Sequence, residues 1–288
     1  MPSHFFFMRW LYEGLLDLGP GKSKIENGVN SHRISTERER IHMGVIGTNI
    51  VVAIIVAILS YLFGSIPTGV VIGIVFFHKD IRQYGSGNTG GTNAGRILGK
   101  KVGILVITLD MVKTVLPMYV AWAILTYVPG LRDSLRWDNG YDPIALYYWS
   151  TILFATFGHC WSIFLKFKGG KAVSCFMGAM VLVSWVQFAA LGFLYFFVAI
   201  KGKYISLASI VSAAAGAFIA WLIAMIVVCF AWNPYVLTWL FTIPEAPLLG
   251  VEYAIVNIIV AAILIIRHRS NIQRLRQGTE SINPFLSK

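Results

Sequence analysis

The chain alternates long apolar runs with short polar connections, and the runs come first because they fix the solvent. Residues 45–77, "VIGTNIVVAIIVAILSYLFGSIPTGVVIGIVFF", carry no charged side chain. About 20 such residues cross the apolar core of a bilayer as a helix. Residues 102–128 form a second run, whose only charges, Asp110 and Lys113, have the i,i+3 spacing that lets them pair on a helix. Further apolar stretches cover residues 144–165, 172–184, 186–200, 205–232 and 248–266. In lipid every backbone polar group must be satisfied within its own segment, so these runs predict helices. The expected fold is all-α and integral to the membrane, with about seven transmembrane helices joined by glycine-rich cytoplasmic loops. The fourth and fifth stretches are short, and predict either thin, tilted crossings or one re-entrant element.

This pattern divides the chain into a membrane domain over residues 45–281, a tail over 1–44 and a C-terminal tail over 282–288. The N-terminal tail begins "HFFFMRWLYEGLLDLG", aromatic but interrupted by Arg9, Glu13 and Asp17. It predicts an interfacial helix followed by a polar linker, and lacks the form of a signal peptide.

Composition agrees: 57% of the 288 residues are hydrophobic and 13% charged, with a mean hydropathy of +0.69. Cys160, Cys175 and Cys229 are widely spaced in apolar surroundings, which fits reduced thiols and implies no metal. The net charge of +11 comes without a basic helix or an aromatic-basic repeat. It therefore points to membrane orientation and not to nucleic acid. With seven crossings, the segments after the first, third, fifth and seventh share one side. They hold Lys79, Arg82, Arg96, Lys100 and Lys101; Lys166, Lys168 and Lys171; Lys201 and Lys203; and Arg267, Arg269, Arg274, Arg276 and Lys288, whereas the opposite loops hold only Arg132 and Arg136. The positive-inside rule places the basic set, and the C-terminus, in the cytoplasm.

Chemistry should reside in those four segments. The first, "GSGNTGGTNAGR", contains a literal G-x-G-x-x-G at Gly85, Gly87 and Gly90. A dinucleotide fold would need a strand before it and a soluble βαβ unit around it, and transmembrane runs on both sides exclude that. The glycines instead let backbone amides turn toward an anion, while Ser86, Asn88, Thr89, Thr92 and Asn93 offer hydrogen bonds. In the second segment, "FKGGKAVSC", Lys168 and Lys171 flank Gly169 and Gly170 where an apolar run begins, so an ammonium and a helix N-terminus can converge on one phosphate. The third, "KYISLASI", sets Ser206 and Ser209 on one helical face. The fourth, "RHRSNIQRLRQGTE", brings His268, Asn271 and several arginines past the last run. Singly, each has a plainer explanation: serines bond back to their helix, juxtamembrane cations orient the protein, His159 packs at a helix end, and Asp110 with Lys113 is a structural pair. Their convergence on one face favours a phosphorylated substrate beside lipid.

In order and spacing, "GSGNTGGTNAGR", "GHCWSIFLKFKGGKAV", "SLASI" and "RHRSNIQRLRQGTE" resemble the signature motifs of the bacterial acyl-phosphate:glycerol-3-phosphate acyltransferase family, PlsY, over roughly residues 45–281. The resemblance implies a multi-pass enzyme of the bacterial inner membrane with its active site at the cytoplasmic face. Its reaction would move a fatty acyl group from acyl phosphate to the 1-position of glycerol 3-phosphate, giving lysophosphatidic acid without a cofactor. By motif position, Ser86 and Arg96 would contact substrate, Lys171 would bind phosphate, and Ser209, His268 and Asn271 would complete the catalytic set. Gly85, Gly87, Asn88, Gly90, Thr92, Asn93, Lys168, Gly169, Gly170 and Ser206 would surround the phosphates. Two departures stand beside these positions: Gly91 where the family usually has alanine, and Ala172 where it usually has glycine.

The alternative is a transporter or lipid-binding protein that holds an organic phosphate, which would call for charged or broken helices near the bilayer midplane. A nucleotide-loop phosphotransferase is disfavoured, since no G-x-x-x-x-G-K-[ST] occurs. Nor does the sequence provide the H-x-x-x-x-D pair by which other glycerol-3-phosphate acyltransferases supply a base, because no histidine has aspartate five residues on. A mixed anhydride donor relaxes that need, and the expected reaction is metal-independent.

Overall fold

The computed structural model describes residues 28–137, 142–230 and 250–282, and the interfacial helix expected at the start of the chain lies outside them. The described residues form helices α1 (Gly28–Gly64), α2 (Thr68–Phe77), α3 (Gly91–Leu98), α4 (Lys100–Tyr127), α5 (Leu131–Leu135), α6 (Ile144–Cys160), α7 (Val173–Val183), α8 (Trp185–Gly202), α9 (Ile205–Phe230), α10 (Val251–Arg267) and α11 (Arg269–Arg276), with no strand among them. The polar stretch expected as a linker is already helical from Gly28. No proline or glycine interrupts residues 29–43, so charge alone did not end the helix.

Every apolar stretch carries a helix, but not every helix spans. Met43–Phe77, Lys100–Tyr127, Trp185–Gly202 and Ile205–Cys229 are long and apolar enough to cross, and α10 with α11 forms a fifth candidate bent by 54°. The 17-residue α6 is at the short end of what can cross, and the 11-residue α7 falls short. At about 1.5 Å per residue, α7 covers only about half of a bilayer core. A count of seven full crossings therefore does not follow from the helix lengths. The reason is Ser184, which leaves the helical region (φ −144°, ψ 106°) and caps α8 by accepting a hydrogen bond from the Gln187 amide.

The outer surface is apolar, as lipid requires: Ile54, Ile58, Phe193, Phe196 and Phe218 are all more than half exposed. Inside, Trp149 and Tyr253 are fully buried and their rings lie 5.2 Å apart, joining α6 to α10. Helix α1 packs along α6, α4 against α3, α6 and α7, and α9 against α8 and α10. At the crossing of α1 and α6 a methyl on Gly64 would overlap the Ala155 carbonyl, and one on Gly158 would overlap that of Tyr61. Small residues are what let two membrane helices approach this closely.

Candidate active site

Two loops and two helix ends build the site. In the first loop, Gly85 and Gly87 take left-handed backbone (φ 61° and 68°), available at little cost only to glycine. Buried Asn93 holds this loop. Its amide donates to the carbonyls of Ile81 (2.8 Å), Asn88 (2.9 Å) and Tyr84 (3.2 Å), and its Oδ1 accepts from the Ser86 amide at 2.9 Å. Asn93, grouped by sequence with the phosphate contacts, thus spends its side chain on the loop. The first turn of α3 has no side-chain cap, and Gly90, Gly91 and Thr92 present it to a cavity, the arrangement in which backbone amides receive an anion.

The second loop follows α6. Its Gly169 and Gly170 amides donate to the carbonyls of Cys160 (3.1 Å) and His159 (2.9 Å). From the far side Arg267 donates to the Gly170 carbonyl (3.0 Å) and the Gly169 carbonyl (2.8 Å) while its guanidinium lies 5.6 Å over the Trp161 ring. The loop is therefore fixed between the end of α6 and the end of α10, and Lys171 projects from it. Ala172, the next residue, adopts a left-handed conformation (φ 66°, ψ 4°) before α7 begins.

Lys171 Nζ donates to Asn271 Oδ1 at 2.6 Å, Asn271 Nδ2 donates to Glu280 Oε1 at 2.6 Å, and the same carboxylate accepts from Ser206 Oγ (2.8 Å) and Arg274 Nε (2.7 Å). Arg96 donates to Ser281 Oγ at 2.9 Å. Ser209 Oγ donates to the Ile205 carbonyl, which leaves its oxygen able to accept.

A cavity of about 480 Å³ lies over these groups. Ser86, Arg96, Lys171, Ser209, His268 and Asn271 all line it, with Asn88, Gly90, Thr92, Asn93 and Ser206. Gly87, Lys168 and Gly169 face an adjoining basic groove with Arg82, Lys166, Arg267 and Arg269. Gly85 and Gly170 support the loops from behind, pressed against Asn93 and the His159 ring respectively. Apolar side chains, Ile104, Ile107, Met177, Tyr195, Phe196 and Ile200, form another part of the main cavity's lining. Phe196 is 65% exposed on the lipid-facing surface, so the cavity opens sideways toward the bilayer. A cavity of about 80 Å³, lined mostly by apolar side chains with Ser209 and Ser212, continues it past Met177, Tyr195 and Phe196 to Phe176, Met180 and Leu191.

The electrostatics suit an anion. Burial, with the Arg274, Arg96 and Arg267 cations, brings the Lys171 ammonium down to about 8 against the pull of Glu280. Burial lowers the His268 imidazole to about 4. Its Nδ1 lies 2.8 Å from the Leu264 carbonyl, which can only accept, so Nδ1 carries the proton and Nε2 is left as an acceptor. Burial alone would raise the Glu280 carboxyl, but the bonds from Asn271, Ser206 and Arg274 outweigh it and hold the group below its ordinary value. Sequence reasoning undervalued Glu280, Arg274 and Arg267. The available signal for Glu280 was its being the lone acidic residue of the basic C-terminal segment.

Residues 54–278 match the family described as Glycerol-3-phosphate acyltransferase. The chain is 36% identical over 230 residues to the glycerol-3-phosphate acyltransferase of Staphylococcus aureus strain Newman, covering 79% of this chain and 96% of that one, and 37% identical over the same length to that of strain JH9. Among solved structures it is similar to the crystal structure of PlsY, an integral membrane glycerol 3-phosphate acyltransferase, in its glycerol 3-phosphate form, with a TM-score of 0.60, 28% identity and coverage of 80% of this chain and 94% of that one. Its similarity to the lysophosphatidic acid form is equivalent, with a TM-score of 0.59. With its described residues helical and with these spans, loops and relatives, the chain belongs to the glycerol-3-phosphate acyltransferase family of integral membrane enzymes.

Proposed function

We propose that this enzyme transfers a fatty acyl group from acyl phosphate to the 1-hydroxyl of glycerol 3-phosphate at the cytoplasmic face of a bacterial inner membrane. The observation that carries this reading is one cavity with two chemistries: Ser86, Arg96, Lys171 and Asn271 at one end, Met177, Tyr195 and Phe196 at the other, opening between lipid-facing residues. An amphiphilic donor with a phosphate head fits that polarity and arrives from the bilayer, while a small polar acceptor arrives from water.

In the reaction the acceptor hydroxyl oxygen attacks the donor carbonyl. A new ester C–O bond forms, the anhydride C–O bond breaks, and phosphate leaves. Lys171, Arg96 and Arg274 balance the phosphate charge, and the first-turn amides of α3 add fixed dipoles. His268, neutral at physiological pH, offers Nε2 as a hydrogen-bond acceptor. Glu280 is committed to Asn271, Ser206 and Arg274 and held ionised, which makes it a weak base. The hydroxyl proton therefore passes to a substrate phosphate oxygen, and the side chains position and neutralise. With three arginine and lysine cations serving the phosphate, no metal is required.

Purified protein given glycerol 3-phosphate and EDTA should make lysophosphatidic acid from palmitoyl phosphate and little from palmitoyl-CoA. Comparable use of the thioester, or a strict requirement for magnesium, would overturn this mechanism.

A further inference from the structure

A second polar cluster lies beneath the two loops, inside the helical bundle. Asp110 Oδ1 faces Lys113 Nζ at 2.9 Å and accepts from Thr68 Oγ1 at 2.5 Å, and Lys113 Nζ also donates to the Ile66 carbonyl at 2.6 Å. Both charged side chains are buried. The His159 ring extends over this pair, with Nδ1 3.7 Å from Asp110 Oδ1. Its opposite edge meets the second loop so closely that a methyl on Gly170 would overlap Nε2. His159 borders the substrate cavity as well as the small polar cavity that holds Asp110, Lys113 and Thr89 of the first loop.

We infer that His159 is a positioning residue for the reaction: steadied by the Asp110–Lys113 pair, its ring is the support on which Gly170 rests and from which Lys171 reaches the substrate phosphate. A buried ion pair is costly to strip of water, so it holds one arrangement only when its partners are fixed, as Thr68 and the Ile66 carbonyl fix this one. The ring above it has the close packing of a protein interior, where a shift on one side is passed to the other. Lys171 follows Gly170 directly, so the height of the loop sets the reach of its ammonium. Lys171 meets phosphate in the bound substrate as well as in the transition state. Its displacement therefore weakens binding at both stages and raises KM with little change in kcat.

This inference rests on the acyl-transfer reading, which wild-type turnover tests separately in the same assay. His159→Ala should raise the KM for a phosphate-bearing substrate about tenfold and change kcat less than about threefold. Gly170→Ala, whose added methyl meets the ring without removing any side chain of the buried pair, should do the same and carries the test should His159→Ala fail to give monodisperse protein. The double variant should have a KM no higher than the worse single variant, because each change breaks the same contact. A fall in kcat at unchanged KM, the result expected of a proton-transferring or purely structural histidine, overturns the inference. So does a double variant whose KM rises by the product of the single effects.

Discussion

Lys171 Nζ donates to Asn271 Oδ1 at 2.6 Å, so the lysine of the glycine loop and the asparagine beyond the last apolar run meet over one cavity from positions 100 residues apart. The contact orients the ammonium without neutralising it, since an amide oxygen carries no net charge. Removing that cation from a desolvated phosphate site costs about 2–5 kcal/mol, or roughly 30- to 5,000-fold in kcat/KM. Lys171→Ala and Arg96→Ala should both show such losses while still inserting in the membrane and remaining monodisperse in detergent; near-normal turnover would reduce either residue to an orienting charge.

The depressed Lys171 ammonium also sets a pH dependence. In the free enzyme the cation is present below about 8 and is lost as pH rises through that value. Substrate phosphates have finished their second ionisation by then, at a pKa of about 6. Wild-type kcat/KM should therefore fall above about pH 8, approaching tenfold per unit, and Lys171→Arg should abolish this limb at lower overall activity. Stability moves the opposite way. Between about 8 and the ordinary 10.5 the unfolded chain binds more protons at this position than the folded chain, so the substrate-free protein gains stability as pH rises. A kcat/KM profile flat to about pH 9.5 would remove the lysine from phosphate binding.

Glu280 ties α9, α11 and the C-terminal segment together through Ser206, Asn271 and Arg274. Glu280→Gln keeps the shape but places an amide donor among three donors, and leaving a buried partner unsatisfied costs roughly 1–3 kcal/mol. The expected outcome is a thermal midpoint lower by several degrees together with reduced turnover, because Asn271 loses the group that aligns it with Lys171. The wild-type contribution has the carboxylate sign. Its folded value lies below the ordinary 4.5, so the stabilisation is full above that pH and disappears as pH falls through the folded value. An unchanged midpoint in the variant would show that the network contributes nothing.

The apolar helices were legible because lipid leaves a chain few alternatives, and the cavity residues because cations and hydrogen-bonding side chains rarely gather four times on one face for packing alone. What the sequence concealed has physical causes. The division between the stretches 172–184 and 186–200 was legible, but "VLVSWVQF" does not reveal that Ser184 leaves the helical region there and caps α8. Arg267 was readable as an orienting charge, but its bonds to Gly169 and Gly170 join segments 97 and 98 residues away. Asn93 resembled a ligand contact for a similar reason, since the carbonyls that consume its amide belong to loop geometry that local pattern does not encode.

Ala172, at the glycine position of the usual motif, tests what the second loop tolerates. Its left-handed backbone costs a non-glycine residue roughly 1–2 kcal/mol. Glycine would relieve that strain but lose about 0.8 kcal/mol of methyl burial and add about 0.4–1 kcal/mol of unfolded-chain entropy. The contributions nearly cancel, so Ala172→Gly should stay within about 1 kcal/mol of wild type and retain activity. Ala172→Val adds β-branching at positive φ and overfills a fully buried position, costing about 2–4 kcal/mol. Equal thermal midpoints for the two variants would contradict this account of the loop.

Arg96, Lys171 and Asn271 line one cavity, so their segments share one end of the helical bundle whatever the number of full crossings. Charge decides which side of the membrane that end faces. The segments around the cavity hold most of the arginine and lysine of the membrane domain, whereas the α4–α6 connection holds only Arg132 and Arg136, and both of these face Asp142 in ion pairs. Lysine and arginine in short loops are retained on the cytoplasmic side. With Cys160, Cys175 and Cys229 replaced, single cysteines at the exposed positions Lys100 and Gln277 should resist an impermeant thiol reagent in right-side-out vesicles and react in inverted ones. Ser134→Cys, in α5 of the opposite connection, should show the reverse. Labelling of Lys100→Cys or Gln277→Cys from outside would place the phosphate site away from the cytoplasm and leave its substrates on the wrong side of the membrane.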